Sequence, residues 1–177
     1  MARTFLISVA CADRTGLIAA IAGCLFDIGG NLGDTTFAVL GTEAEFTSLV
    51  DLPEHLSVET VRRELAALAE TGGARIEVAP YDRPTVHGPL GRATHVITVA
   101  GGDQPGLIAR IAEVFVEFGA NIIHMEAGRE PGPEPTGRYL TRFSVAIPAA
   151  NAEKCLATVA NTAGAMDLSC AWTEVNI

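Results

Sequence analysis

Cys11-Ala-Asp-Arg-Thr-Gly-Leu-Ile18 and Gly101-Gly-Asp-Gln-Pro-Gly-Leu-Ile108 stand 90 residues apart, and the match spreads outward from them. Phe5–Asp34 lies over His95–His124 without a gap, and twelve of the 30 positions are identical, among them Ile7/Ile97, Asp13/Asp103, Gly16/Gly106, Leu17/Leu107, Gly29/Gly119 and Asn31/Asn121. A gapless match of this length marks two copies of one supersecondary unit. Between them, Pro80–Thr94 holds three prolines and two glycines. Proline removes backbone donors and resists both helix and central strand, so the stretch suits a linker. The expected division is a first domain over 1–82, a linker over 83–92 and a second domain over 93–177.

Periodicity gives each copy its elements. Phe5, Ile7 and Val9 alternate as in a strand, and so do the residues around Val96–Val99. Leu17, Ile18, Ile21, Leu25, Phe26 and Ile28 then recur at helical spacing, matched by Leu107, Ile108, Ile111, Val114, Phe115 and Phe118, and Gly29 and Gly119 sit where a helix end favours a left-handed residue. Thr35–Leu40 and Phe46–Leu52 read as a hairpin around Gly41. Ser57 is placed to cap a second helix with the stripe Val58, Val61, Leu65 and Leu68, ended by Gly72-Gly73, and Arg75–Pro80 supplies the last strand. The second copy repeats the order with Ile122–Ala127, Tyr139–Ile147, a helix through Cys155–Val159 and a strand near 168–175. The fold class is α+β, βαββαβ twice, the ferredoxin-like split βαβ. The copies differ in the hairpin, where Glu130–Arg138 carries three prolines and predicts a protruding, partly stiff loop.

Composition narrows the function. Of 177 residues, 49% are apolar and 19% charged, which excludes a disordered chain. A net charge of −9 and a single lysine, Lys154, disfavour direct nucleic-acid binding and anionic membranes. No apolar run reaches the roughly 18 residues that cross a bilayer, and the start resembles a strand more than a targeting segment. A soluble cytoplasmic protein is expected, with Cys11, Cys24, Cys155 and Cys170 as thiols. Templates for hydrolase, nucleotide and zinc chemistry are missing, so neither an enzyme nor a cofactor or metal site is expected. His124-Met-Glu126 is too small a ligand set, and Cys11, near a helix start, is echoed only by Gly101 and reads as a packing residue.

The chemistry concentrates at the two matching turns. Asp13 and Asp103 are placed to cap helices, and Pro105 suits a first helical turn. Gly16 and Gly106 leave backbone N–H groups accessible at a helix start that carries roughly half a positive charge. Such an end can hold a carboxylate, the neighbouring aspartate can hold an ammonium, and Asn31 or Asn121 can serve either. A free amino acid presents both groups. Each piece is also ordinary hardware: an aspartate cap, a turn glycine, an asparagine in a left-handed turn.

Asp-x-x-Gly-Leu-Ile with Gly-x-Asn, set in βαββαβ, resembles the ACT domain, a small regulatory module that binds amino acids, once in each half. Phe37-Ala-Val-Leu-Gly-Thr-Glu43 is similar to the glycine cleavage system transcriptional repressor group. The resemblance implies two ACT domains side by side in one eight-stranded sheet, with ligand positions where the first turn of one domain meets the second strand of the other. It points to Asp13, Thr15, Gly16, Leu17, Asn31 and Leu32 in the first copy. In the second it points to Asp103, Gln104, Pro105, Gly106, Leu107, Asn121 and Ile122. Thr15 stands where the family often has proline, which implies two non-identical sites. The function so implied is a non-catalytic sensor of a small amino acid of the glycine or serine class. It would act on a protein partner, a transcriptional regulator or a metabolic enzyme, and would assemble as a homodimer. The alternative is a ligand-free interaction module that docks on an enzyme or regulator.

Overall fold

A computed structural model of the chain describes residues 2–88, 90–130 and 138–175. Residues 131–137 of the expected proline-rich loop lie outside this range. The chain forms two compact units, Met1–Arg83 and Pro84–Ile177. The first runs β1 (Ala2–Ala12), α1 (Leu17–Asp27), β2 (Asn31–Leu40), β3 (Glu43–Pro53), α2 (Val58–Ala66) and β4 (Arg75–Pro80). The second runs β5 (His95–Gly101), α3 (Leu107–Glu117), β6 (Asn121–Glu130), β7 (Arg138–Ala146), α4 (Ala152–Gly164) and β8 (Ser169–Glu174). Both are βαββαβ, with four-stranded sheets in the orders β2-β3-β1-β4 and β6-β7-β5-β8. Every pairing is antiparallel. No helix among the described residues is long and apolar enough to cross a membrane.

Alternation along the strands puts Phe5, Ile7, Val9, Phe46, Val50 and Leu52 on the side covered by Leu17, Ile21, Leu25, Val61 and Leu65 of the helices. The second core repeats this with Ile97, Val99, Phe143 and Val145 against Ile111, Phe115, Leu156 and Val159. There Phe115 and Phe143 meet edge to face, their ring centres 5.5 Å apart, a geometry aromatic rings favour. Both first helices close alike. Gly29 and Gly119 take positive φ of 84° and 66°, and the N–H groups of Gly30 and Ala120 bond back to Leu25 and Phe115 carbonyls at 2.7 and 2.8 Å. This is the Schellman arrangement, and glycine supplies its left-handed residue without a steric penalty.

Two elements depart from the sequence reading. β2 begins at Asn31 instead of Thr35, because Gly33 and Asp34, which look like turn residues, form a bulge between the Leu32–Val50 and Thr35–Ser48 pairs. α2 does begin with Ser57 Oγ accepting the Thr60 N–H at 3.1 Å, but it stops at Ala66, well before Gly72-Gly73. Leu68 turns extended and a 3₁₀ turn follows over Ala69–Thr71. The buried Thr71 hydroxyl lies 2.5 Å from the Leu65 carbonyl and 3.1 Å from that of Leu68, satisfying helix-end acceptors that would otherwise be orphaned.

Candidate functional site

The turns β1–α1 and β5–α3 have the same build, and neither aspartate caps its helix. The N-cap positions are Gly16 and Gly106, left-handed at φ 92° and 83°, with no side-chain cap bond. Pro105 precedes the N-cap and lies outside the first helical turn. Each turn closes on itself instead: the N–H of Leu17 bonds to the Arg14 carbonyl at 3.4 Å, and that of Leu107 to the Gln104 carbonyl at 3.2 Å. A Cβ added at either glycine would meet nothing within 4 Å. Glycine is therefore required by backbone conformation and not by crowding. The first N–H groups of α3 beyond Leu107 have no acceptor inside the helix and point outward with the positive end of its dipole.

Freed from capping, Asp103 receives a hydrogen bond from the Arg129 guanidinium, with both side chains more than half exposed. Residues 103–109 and Tyr139 line an open surface pocket of about 220 Å³. Tyr139, the second residue of β7, is half-buried opposite Gly101 of β5 and Arg129 of β6. Register fixes the first unit's counterparts: Cys11 pairs with Ala44, and Ala44 with Val39. Where the second unit has a phenol and a guanidinium beside its turn, the first thus has alanine and valine.

Of the residues singled out from sequence, Asp103, Gln104, Pro105, Gly106 and Leu107 line the cavity, with Leu107 also buried in the core. Asn121 and Ile122 do not line it. Asn121 donates its side-chain N–H to the Leu90 carbonyl at 2.9 Å, and Ile122 packs against the core. In the first unit, Asp13 and Thr15 are exposed on the turn, Leu17 is buried, and Leu32 packs on the core. Asn31 starts β2 opposite Asp51. Neither asparagine is left-handed; among the described non-glycine residues only Asp167 has positive φ. Tyr139 and Arg129 were not foreseen, because they lie where the two copies diverge and the repeat gives no signal.

The remaining reactive groups are quiet. Cys11 is buried in the first core. Burial pushes the thiols of Cys24, Cys155 and Cys170 above their ordinary pKa, and nearby Glu64 and Asp27 add to the effect at Cys24, so these thiols stay protonated and weakly nucleophilic. Glu126 is engaged by Arg142, and the described residues hold no group of three metal-ligating side chains. An acid beside a base, open N–H groups and an aromatic wall are equipment for holding a small polar ligand.

Two family models, each described as an ACT domain, match residues 3–79 and 95–151. Among solved structures, one of an unknown protein from Galdieria sulphuraria is 21% identical, with a TM-score of 0.78 over 99% of this chain and 100% of that one. Another, provisionally described as a glycine cleavage system transcriptional repressor, is 13% identical, with a TM-score of 0.69 over 100% and 99%. At these identities the likeness is one of fold. No curated protein matches the chain. With one family model matching in each half, the chain belongs to the ACT domain family as a tandem of two copies.

Proposed function

We propose that the chain is a non-catalytic regulatory protein whose second ACT domain binds a small amino acid of the glycine or serine class, and that binding controls a protein partner. The candidate partners are a transcriptional regulator of glycine cleavage and a metabolic enzyme. The observation that carries this reading is the cavity at the β5–α3 turn, where Asp103 and Arg129 stand beside an uncapped helix start. At about 220 Å³ it falls below the roughly 300–1,000 Å³ typical of drug-sized ligands. A zwitterion would exchange the internal ion pair for two of its own: its ammonium on Asp103, its carboxylate on Arg129 and the first N–H groups of α3. Tyr139 and Pro105 would bound the space left for the side chain and so favour a small one. The first domain, with Ala44 and Val39 at the matching places, would bind more weakly or not at all. Control of a partner requires different ligand affinity in two arrangements of the protein, because a ligand shifts an equilibrium only by that difference.

Thermal unfolding against the twenty amino acids tests this. Ligand at about 100 times its dissociation constant stabilises by about 2.7 kcal/mol, or about 5–10 °C for a chain of this size. Asp103→Ala and Arg129→Ala should each abolish the rise while leaving the ligand-free stability within about 1 kcal/mol, since both groups are exposed. A flat panel at millimolar amino acid would defeat the reading and favour a ligand-free docking module.

A further inference from the structure

β4 and β8 hold the same place in the two units, at the free edge of the sheet beside β1 or β5, and they present that edge differently. The Tyr81 N–H bonds to the Thr4 carbonyl at 2.9 Å, and the Val175 N–H to the Thr94 carbonyl at 2.8 Å. In an antiparallel pair every second residue spends its backbone groups on the partner strand. Counting back in twos along the registers, Arg75, Glu77 and Ala79 face β1 with theirs, and Ser169, Ala171 and Thr173 face β5. Ile76, Val78 and Pro80 therefore turn their backbone groups away from the sheet, as do Cys170, Trp172 and Glu174.

β4 is a closed edge. Pro80, opposite Phe5, has no N–H to offer at an outward-facing position, and Arg75 and Glu77 form an exposed ion pair beside it at 3.8 Å. Proline and charge are the usual protection of a sheet edge against strand addition. β8 has neither over Ser169–Thr173. Glu174, opposite His95, keeps the N–H that Pro80 lacks. Where β4 has Val78, 6% exposed, β8 has Trp172, 43% exposed. The other edge of the same sheet, β6, is interrupted by a bulge between Ile122 and His124 and carries Glu126 and Arg129. β8 is thus an open edge with tryptophan at its centre, a side chain that dominates the energetics of many interfaces.

The pattern of this edge says what fits it. Backbone N–H and C=O groups repeating at every second residue are matched by an extended backbone laid alongside. The two ends carry opposite charges. Glu174 is exposed at the C-terminal end, and Arg138 reaches the N-terminal end, where its guanidinium donates to Ser169 Oγ at 3.1 Å. An antiparallel segment that starts with a basic residue and ends with an acidic one complements both. Between them, its alternate residues on the Trp172 side would be apolar, because side chains opposite one another share a face.

We propose that β8 is a docking edge for an extended segment of a partner protein, basic at its start and acidic at its end, which adds antiparallel as a further strand of the second sheet. The proposal stands whether or not the second domain holds a ligand. The probe is the peptide acetyl-Lys-Thr-Ile-Thr-Val-Glu-amide, which places lysine opposite Glu174, isoleucine opposite Trp172 and glutamate opposite Ser169. Titrated into the full chain, it should shift the Trp172 emission to the blue and saturate with a dissociation constant of about 1 mM or below. Methylating the amide nitrogen of the isoleucine or the valine, both of which face β8, should weaken binding about 10-fold or more. Methylating that of the threonine between them, which faces solvent, should leave binding unchanged. Glu174→Pro gives β8 the residue that closes β4 and spares the pairing with β5, because the lost N–H faces outward. It should abolish binding with an unchanged circular dichroism spectrum, and the methylated peptides keep the test valid if this variant folds poorly. No change in emission up to about 10 mM peptide would overturn the proposal, as would equal binding of all the peptides. So would a dimer in sedimentation equilibrium that Glu174→Pro dissolves, since the edge would then belong to a second copy of the chain.

Discussion

Thr141 lies in β7 between Val99 and Ala127. It is fully buried, and its Oγ1 has no hydrogen-bond partner among the described residues. The matching place in the first unit, opposite Val9, is Phe46, so the site belongs to the core. Burying a hydroxyl without a partner costs about 1–3 kcal/mol judged from protein mutants. Valine keeps the shape and removes the polar atom, so Thr141→Val should stabilise the second unit by about 1–2 kcal/mol. Trp172, the single tryptophan, sits in β8 of the same unit opposite Ile97, and its fluorescence in urea reports on that unit directly. The transition midpoint should rise with the slope unchanged, because the surface exposed on unfolding is nearly the same. A second buried threonine gives the opposite sign. Thr71 spends its hydroxyl on the Leu65 and Leu68 carbonyls, so Thr71→Val should cost about 1–2 kcal/mol, read by circular dichroism. A fall in the midpoint for Thr141→Val would refute the reasoning, since it would mean that the hydroxyl has a partner after all.

Ser57→Ala removes the side-chain cap of α2 and should destabilise the first unit by about 1 kcal/mol in thermal unfolding. Gly106→Ala forces a left-handed residue where there is space but no conformational tolerance. A loss of about 1–2 kcal/mol in the second unit is expected from strain alone, measurable in the same urea titration. Cys155, fully buried with its thiol pKa pushed up by burial, should resist iodoacetamide in the native protein and react only on unfolding. Cys24 is raised by burial, then by Glu64 and Asp27. Glu64→Gln should therefore lower that pKa and speed alkylation of Cys24 at mildly alkaline pH, followed by mass spectrometry.

Much of the fold was legible because the repeat carries it. The alternation around Ile7 and Ile97, the stripes beginning at Leu17 and Leu107, and the paired glycines 29 and 119 each report a local constraint imposed twice. What was misread depends on contacts distant in sequence. Asp13 and Asp103 look like caps, but a left-handed glycine at the N-cap takes that position and leaves Asp103 free for Arg129, 26 residues on. Asn121 looks free for a ligand, yet Leu90 of the linker folds back onto its amide. Tyr139 and Arg129 reach the β5–α3 turn through strand register, which no spacing along the chain discloses. The bulge at Gly33-Asp34 hid the start of β2, because bulges draw on the same residue types as turns.

The Asp103–Arg129 pair also bears on which molecules can approach. Opposite charges held together make this spot neutral on a chain whose net charge is −9. Nucleotides, sugar phosphates and dicarboxylates would have to cross a repulsive field to a place offering no net compensation. A molecule of zero net charge crosses that field without penalty, and its attraction begins only within the roughly 8 Å over which charges are felt at physiological salt. On the proposed reading, discrimination against anionic metabolites would come from the surface as a whole, and the pocket would have only to distinguish among neutral molecules by size.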